Sequence, residues 1–225
     1  MRASMSVVLS ALLGGGMIAG TAHAQSEEID RVAEAARVLE EILAAPDKGI
    51  PRSILDKAEA LVVIPSTVKG AFIIGAQRGK GIISGRSGGS WSPPAFITLT
   101  GGSIGFQIGG QATDIVLVVI NTRGLENLTA DSFKIGGDAS VAAGPVGREA
   151  TAATDYKMQA EILSYSRSRG LFAGVSLAGS TIRADRDANK TIYGTSFNTR
   201  QIVVERKGGS PPSIEPWVSV LHRLR

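Results

Sequence analysis

Cysteine is absent from the 225 residues, histidine occurs twice, and aromatic residues make up 5% of the chain. Without cysteine there are no disulfides, thiolate metal sites or cysteine nucleophiles, and no thiol to carry a lipid. Two histidines, His23 and His222, leave little for a histidine-based metal centre or a general base. No apolar run reaches the roughly 20 residues of a membrane span. Scarce aromatics argue against a stacking surface for nucleic acid. Acidic residues are missing from the whole interval between Glu59 and Asp114. What the chain has in excess is glycine, 28 residues, about 12% against a usual share of roughly 7%.

The N-terminus reads as an address. A positive start at Arg2, an apolar and Gly-rich run over 7–18, and Ala22-His23-Ala24 form a signal-peptide pattern. Cleavage after Ala24 is expected, leaving a periplasmic or secreted domain of 25–225 with His222 as its one histidine and a net charge of +3, down from +4.

In that domain, Ile29, Val32, Ala36, Leu39 and Leu43 recur at three- and four-residue steps, which predicts a helix over 27–44. Its polar face is acidic, unlike a membrane-surface helix, so packing on the domain is expected. A short helix is expected from Pro51 to about residue 60. From Leu61 onward, β-branched runs punctuated by glycine predict strands at 61–64, 71–74, 81–84, 96–99, 104–108, 115–120, 133–135, 171–177, 181–183 and 201–204. A helical turn is expected over 125–132 and a hairpin turn over 185–190, while 156–163 fits helix or strand. In the last segment Trp217, Leu221 and Leu224 share a helical face. Seventeen glycines fall between Gly70 and Gly147, as a curved sheet with bulges needs. The expected fold is α+β, a Gly-rich, mainly antiparallel β-sandwich or barrel core with N-terminal helices and a short C-terminal helix. One domain is expected, its core over about 35–193, followed by a strand and helix within 199–225.

Several strings imitate catalytic motifs. Gly85-Arg86-Ser87-Gly88-Gly89 and Gly101-Gly102-Ser103-Ile104-Gly105 both read G-x-S-x-G. A nucleophile elbow needs a strand before the serine and a helix after it. Ser87 runs instead into Gly88-Gly89-Ser90-Trp91-Ser92-Pro93-Pro94, and Ser103 lies inside a β pattern. Ser66-Thr67-Val68-Lys69 matches S-x-x-K but lacks its partner strings. Gly79-Lys80-Gly81 lacks phosphate-loop spacing. Asp185, Asp187 and Asn189 take calcium-loop spacing without the glycine or the final glutamate. The chain therefore reads as no enzyme, with no metal and no cofactor.

The charge pattern points to an anionic partner. Lys69, Arg78, Lys80 and Arg86 occupy the acid-free interval, and Arg167 and Arg169 flank Ser168. If they converge, they form a patch for phosphate headgroups at about 1 kcal/mol each. Trp91 beside Pro93-Pro94 is a ring suited to an interface. The alternative is a set of charged strand ends that protect sheet edges.

A resemblance narrows the partner. Ile64-Pro65-Ser66, Gly79-Lys80-Gly81, Gly89-Ser90-Trp91-Ser92-Pro93-Pro94-Ala95 and Gly105-Phe106-Gln107-Ile108-Gly109 with Asp114-Ile115-Val116 stand in order. Gly136-Gly137-Asp138, Ala143-Gly144-Pro145-Val146-Gly147-Arg148, the run 165–174 and Tyr193-Gly194 follow. Together they resemble the SYLF domain family over roughly 35–193. The chain departs from that pattern at Lys57-Ala58-Glu59-Ala60, where relatives often carry a second lysine, and at Ala178-Gly179-Ser180, where many carry Glu-Gly-Ser. The resemblance implies a lipid-binding domain, with phosphoinositide membranes and, in the fungal branch, actin filaments as partners of relatives. The expected function is thus an exported, non-enzymatic domain that binds anionic phospholipid through Lys69, Arg78, Lys80, Arg86, Trp91, Arg167 and Arg169. A protein-interaction or envelope-structural module is the alternative, its protein partner unspecified.

Overall fold

The computed structural model describes residues 15–44, 49–69, 76–102, 113–146, 160–168 and 171–224. Along the chain these form α1 (Gly15–Ala44), α2 (Arg52–Asp56), β1 (Ala60–Lys69), β2 (Ala76–Ser87), β3 (Ser90–Trp91), β4 (Ala95–Gly102) and β5 (Thr113–Val119). Then come α3 (Thr122–Leu128), β6 (Ser132–Lys134), β7 (Val141–Ala143), β8 (Ile162–Ser168), β9 (Leu171–Gly174), β10 (Thr181–Ala184), α4 (Arg186–Tyr193), α5 (Thr199–Val203) and α6 (Glu215–Leu221).

The strands join in one curled, mainly antiparallel sheet, ordered β6-β10-β4-β2-β1-β5-β8-β7. β3 is added to β2 and β9 to β8, while β7 runs parallel to β8. The central strands show unbroken hydrophobic runs because both sheet faces are covered. Leu61, Val62, Val63 and Ile64 are all fully buried. Leu61, Val63, Ile82, Phe96, Val116, Val118, Leu163 and Tyr165 point to a face packed with residues of α1, α2 and α6. Val62, Ile64, Ile83, Ile97, Leu99, Ile115, Leu117 and Ile162 point to the other, against Leu128, Phe133, Ile182 and Ile202. Each such side chain contributes about 1.5–3 kcal/mol on burial. The α+β expectation with a mainly antiparallel core, N-terminal helices and a C-terminal helix holds.

Helix α1 lies across the sheet. Of the expected stripe, Val32, Ala36 and Leu39 are buried, together with Ala35, Val38 and Ile42, while Leu43 is half-buried and Ile29 is exposed. The helix is longer than expected, running without a break from Gly15 through residue 24. At the C-terminus, Trp217, Leu221 and Leu224 are buried as expected, and Trp217 Nε1 donates to Ser84 Oγ at 2.8 Å.

Three local expectations are corrected. The run 201–204 begins inside a helix, α5: Asn198 accepts from Gln201 N, and the Gln201 side chain accepts from Asn198 N. That reciprocal cap, with Ile202 and Val203 buried on one side, overrides the β-branched preference of Ile-Val-Val. Residues 185–190 open helix α4 instead of a hairpin, because Asp185 accepts from Ala188 N. Pro51 precedes the first helical residue of α2, and that helix ends at Asp56, short of the expected residue 60. The expected strands at 71–74 and 104–108 lie outside the described residues, as do 156–159; β8 starts at Ile162.

A proline in a central strand needs an accommodation, since it cannot donate to the ladder. At Pro65 in β1 the register slips on both sides: Val63 pairs Ile82 but Val68 pairs Arg78, and Ile64 pairs Ile115 but Thr67 pairs Thr113. This is a bulge. Beside it, a Cβ on Gly81 would meet Val63 O at 2.5 Å and Ile64 Cγ1 at 2.6 Å. Only glycine fits there.

Candidate functional site

Strand period decides where the basic residues go. Ile82 of β2 faces α1, so Arg78, Lys80 and Arg86, all at even steps from it, share that face. In β8, Leu163 and Tyr165 face α1, and Arg167 follows by the same parity. The four cations thus lie on the helix-covered face, and what they meet depends on which helix is overhead.

Arg78 and Lys80 sit at the edge of that cover and are exposed. They line one side of a cleft of ≈520 Å³ between α1 and the bulged end of the β1–β2 pair, with Pro65 and Gly79. From α1 the lining is Glu27, Asp30, Arg31 and Glu34. Lys80 Nζ stands 3.8 Å from Glu27 Oε2, and both side chains are about half exposed. The Lys69 backbone pairs with Gln77, next to the Val68–Arg78 pair, which sets Lys69 at the same end of the sheet.

Arg86 is six residues further along β2, roughly 20 Å away. There its guanidinium donates to Asp56 O and Leu224 O and lies 5.4 Å from the Trp91 ring centre. Trp91 is 8% exposed and belongs to the core beneath α1 and α6, so its ring is a packing surface and not an interfacial anchor. Arg167 is 7% exposed: Nε donates to Asp114 Oδ2 at 2.9 Å and Nη1 pairs with Glu41 on α1. Arg169 lies outside the described residues. The structure therefore gathers Arg78, Lys80 and the Lys69 backbone, and separates Arg86, Trp91 and Arg167 from them into structural contacts.

On the opposite wall stand residues the sequence reading used only for packing. Arg31, 6% exposed, pairs with Glu28 at 2.7 Å and Asp185 at 3.1 Å, and its guanidinium lies 5.2 Å from the Phe96 ring centre. Burial raises the Glu28 pKa above its ordinary value, although Arg31 pulls it down. Hydrogen bonds from Arg37 hold the Glu34 carboxyl below the usual range. The available signal was complementarity: an acidic helix preceding an acid-free basic strand.

The catalytic look-alikes also find places. Ser87 and Ser90 flank a two-residue hairpin turn, with Gly88 at φ +57° and Gly89 at φ +77°, so the first G-x-S-x-G is a hairpin tip of the primed kind. Arg206 clamps that tip, donating to Ser90 O at 2.9 Å, Ser87 O at 3.3 Å and Ser90 Oγ at 3.2 Å. Asp185 caps α4, and Asn189 is buried, accepting from Phe96 N at 2.8 Å and donating to Phe197 O at 2.9 Å. Ser103 lies outside the described residues. Among the described residues, no three His, Asp or Glu side chains are placed to hold a metal ion, and no helix is long and apolar enough to cross a membrane.

A curled sheet buried on both faces is crossed by a long helix, with a mixed-charge cleft at the helix–sheet seam. Residues 100–224 match the family described as Ysc84, Las17-binding protein actin regulator. The chain is 34% identical over 179 residues to LAS seventeen-binding protein 3 of Saccharomyces cerevisiae, covering 78% of this chain and 39% of that protein. It is 35% identical over 168 residues to SH3 domain-containing YSC84-like protein 1 of Xenopus laevis, covering 72% and 50%. With the human protein of that name it shares 36% over 150 residues, 66% and 44%. The chain belongs to this Ysc84 (SYLF) family, and it spans between two fifths and one half of these relatives' length.

Proposed function

We propose that the chain is a non-enzymatic binding domain that adsorbs to anionic phospholipid through the open end of β2. The observation that carries this is the pairing of Arg78 and Lys80: same face, two residues apart and exposed, with Lys80 Nζ 3.8 Å from Glu27 Oε2 across the cleft. Arg86, Trp91 and Arg167 drop out of the site, because their side chains are engaged within the domain. Two cations at about 1 kcal/mol each give weak, salt-sensitive adsorption.

Co-sedimentation with phosphatidylglycerol vesicles tests it. Wild type pellets at low salt; Arg78→Glu with Lys80→Glu stays in solution, and phosphatidylcholine vesicles recruit neither. Pelleting that survives 0.5 M salt, where the screening length is about 4 Å, overturns the electrostatic reading. So does an unchanged double variant. Export is part of the proposal: cleavage after Ala24 leaves Glu28, Arg31 and every buried α1 residue from Val32 onward in place. The mass of the purified protein checks that.

A protein partner is the second reading, favoured by the family match, since the yeast relative is named for binding one. One co-purifying protein that binds through the same rim, with no vesicle recruitment, selects it.

A further inference from the structure

The cleft between α1 and the β1–β2 bulge has walls of opposite sign. Glu27 and Asp30 stand on the helix, Arg78 and Lys80 on the strand, and Pro65, Gly79 and the aliphatic stems of the charged residues fill in between. Its ≈520 Å³ falls in the range of small-molecule sites. Backbone lies between the walls: Gly79 and Pro65 line the cleft, and the register of β1 slips on both sides at Pro65. The acidic wall is fixed in position by Arg31, which ties α1 to Asp185 and to the Phe96 ring.

Such a cleft discriminates by charge pattern. A lone anion is drawn to Arg78 and Lys80 but faces Glu27 and Asp30, and a lone cation meets the reverse. A zwitterion satisfies both walls. The 3.8 Å Lys80–Glu27 pair already holds one charge of each sign there, loosely and half exposed, so a ligand's anion and cation can each replace one partner. Among the described residues no aromatic ring lines the cleft, which favours other cations over a quaternary ammonium. Carboxylates accept hydrogen bonds, which favours a primary ammonium with N–H donors. Arg78 presents a planar fork suited to phosphate.

We infer that the cleft binds a zwitterion bearing a primary ammonium and a phosphate ester, the ammonium at Glu27 and Asp30 and the phosphate at Arg78 and Lys80. This rests on the same Arg78–Lys80 rim as the phospholipid reading and adds the headgroup chemistry. The source is an ethanolamine lipid or a free phosphoethanolamine compound.

Calorimetric titration at low salt with glycerophosphoethanolamine, glycerol 3-phosphate, ethanolamine and glycerophosphocholine tests it. Glycerophosphoethanolamine binds at least about tenfold more tightly than each of the others, the loss expected for one charge-assisted contact. The exposed-site variant Glu27→Gln with Asp30→Asn loses that advantage and binds glycerol 3-phosphate more tightly than wild type, because the opposing carboxylates are gone. Arg78→Gln with Lys80→Gln loses binding of both compounds. Recruitment to phosphatidylcholine vesicles doped with phosphatidylethanolamine, competed by free glycerophosphoethanolamine, assigns a lipid source; binding without recruitment assigns a soluble one. Equal affinity for glycerol 3-phosphate, or no glycerophosphoethanolamine binding, overturns the inference and leaves phosphatidylglycerol adsorption standing. Failure on phosphatidylglycerol with glycerophosphoethanolamine binding intact overturns the surface reading alone.

Discussion

Replacing Arg167 with methionine separates a ligand-binding arginine from a structural one. As a headgroup contact on the surface, Arg167 would be worth about 1 kcal/mol of membrane affinity and almost nothing in stability. In the fold it is 7% exposed and holds Asp114, itself 8% exposed, through a 2.9 Å bond that joins β8 to β5. The Glu41 limb to α1 is 44% exposed on the glutamate side, so it contributes at most about 1 kcal/mol. The Asp114 limb dominates, because both groups are buried and removing one partner of a buried ion pair costs up to about 3–5 kcal/mol. With a urea m-value towards the upper end of about 1–3 kcal/mol/M, the unfolding midpoint falls by about 1–2 M. Three variants fix the ordering in urea titrations at pH 7. Arg167→Met is severe, Glu41→Gln is mild, and Arg167→Met with Asp114→Asn recovers part of the loss because the stranded charge is gone. A stability change under about 1 kcal/mol for Arg167→Met, together with lost vesicle binding of the folded variant, would refute this reasoning.

Gly81→Ala places a Cβ 2.5 Å from a backbone oxygen, and should cost at least about 1–3 kcal/mol, whereas Gly137→Ala, whose nearest neighbour is a Lys134 carbon at 3.4 Å, stays within about 0.5 kcal/mol; thermal melts compare them. Glu28 is protonated more readily in the folded state than in the unfolded one, so stability falls as pH rises above about 4.5 through its raised pKa, and Glu28→Gln flattens that part of the profile. Glu34 acts with the opposite sign: its depressed pKa supports the fold above about 4.5, and that support is lost as pH drops through it. Asn198→Ala removes the capping box of α5 and costs about 1 kcal/mol, read by urea titration; a strand at 201–204 would make the substitution neutral.

Much of the fold was legible because the signals are local. The α1 stripe, the β-branched runs and the C-terminal Trp217–Leu221–Leu224 face all follow from side-chain period. The two helices misread as a hairpin turn and a strand share one cause. In 185–190 and 201–204, a single cap outweighs propensity: Asp185 and Asn198 each satisfy a helix-opening N–H that the composition of the following residues does not reveal. The Gly excess does two jobs visible only in place, as space at Gly81 and as positive φ at Gly88 and Gly89.

By itself, then, the sequence determined the α+β class, the strand-rich Gly core and the family, since period and ordered motifs reside in neighbouring residues. Only the tertiary structure decided which cations are available. Strand parity sends Arg78, Lys80, Arg86 and Arg167 to one face, but the path of α1 across that face buries Arg167, the α2 and C-terminal ends capture Arg86, and the β1 bulge leaves Arg78 and Lys80 at an open cleft. Burial and charge partners come from residues distant in the chain, such as Asp114 for Arg167 and Leu224 for Arg86, and no local pattern encodes those meetings.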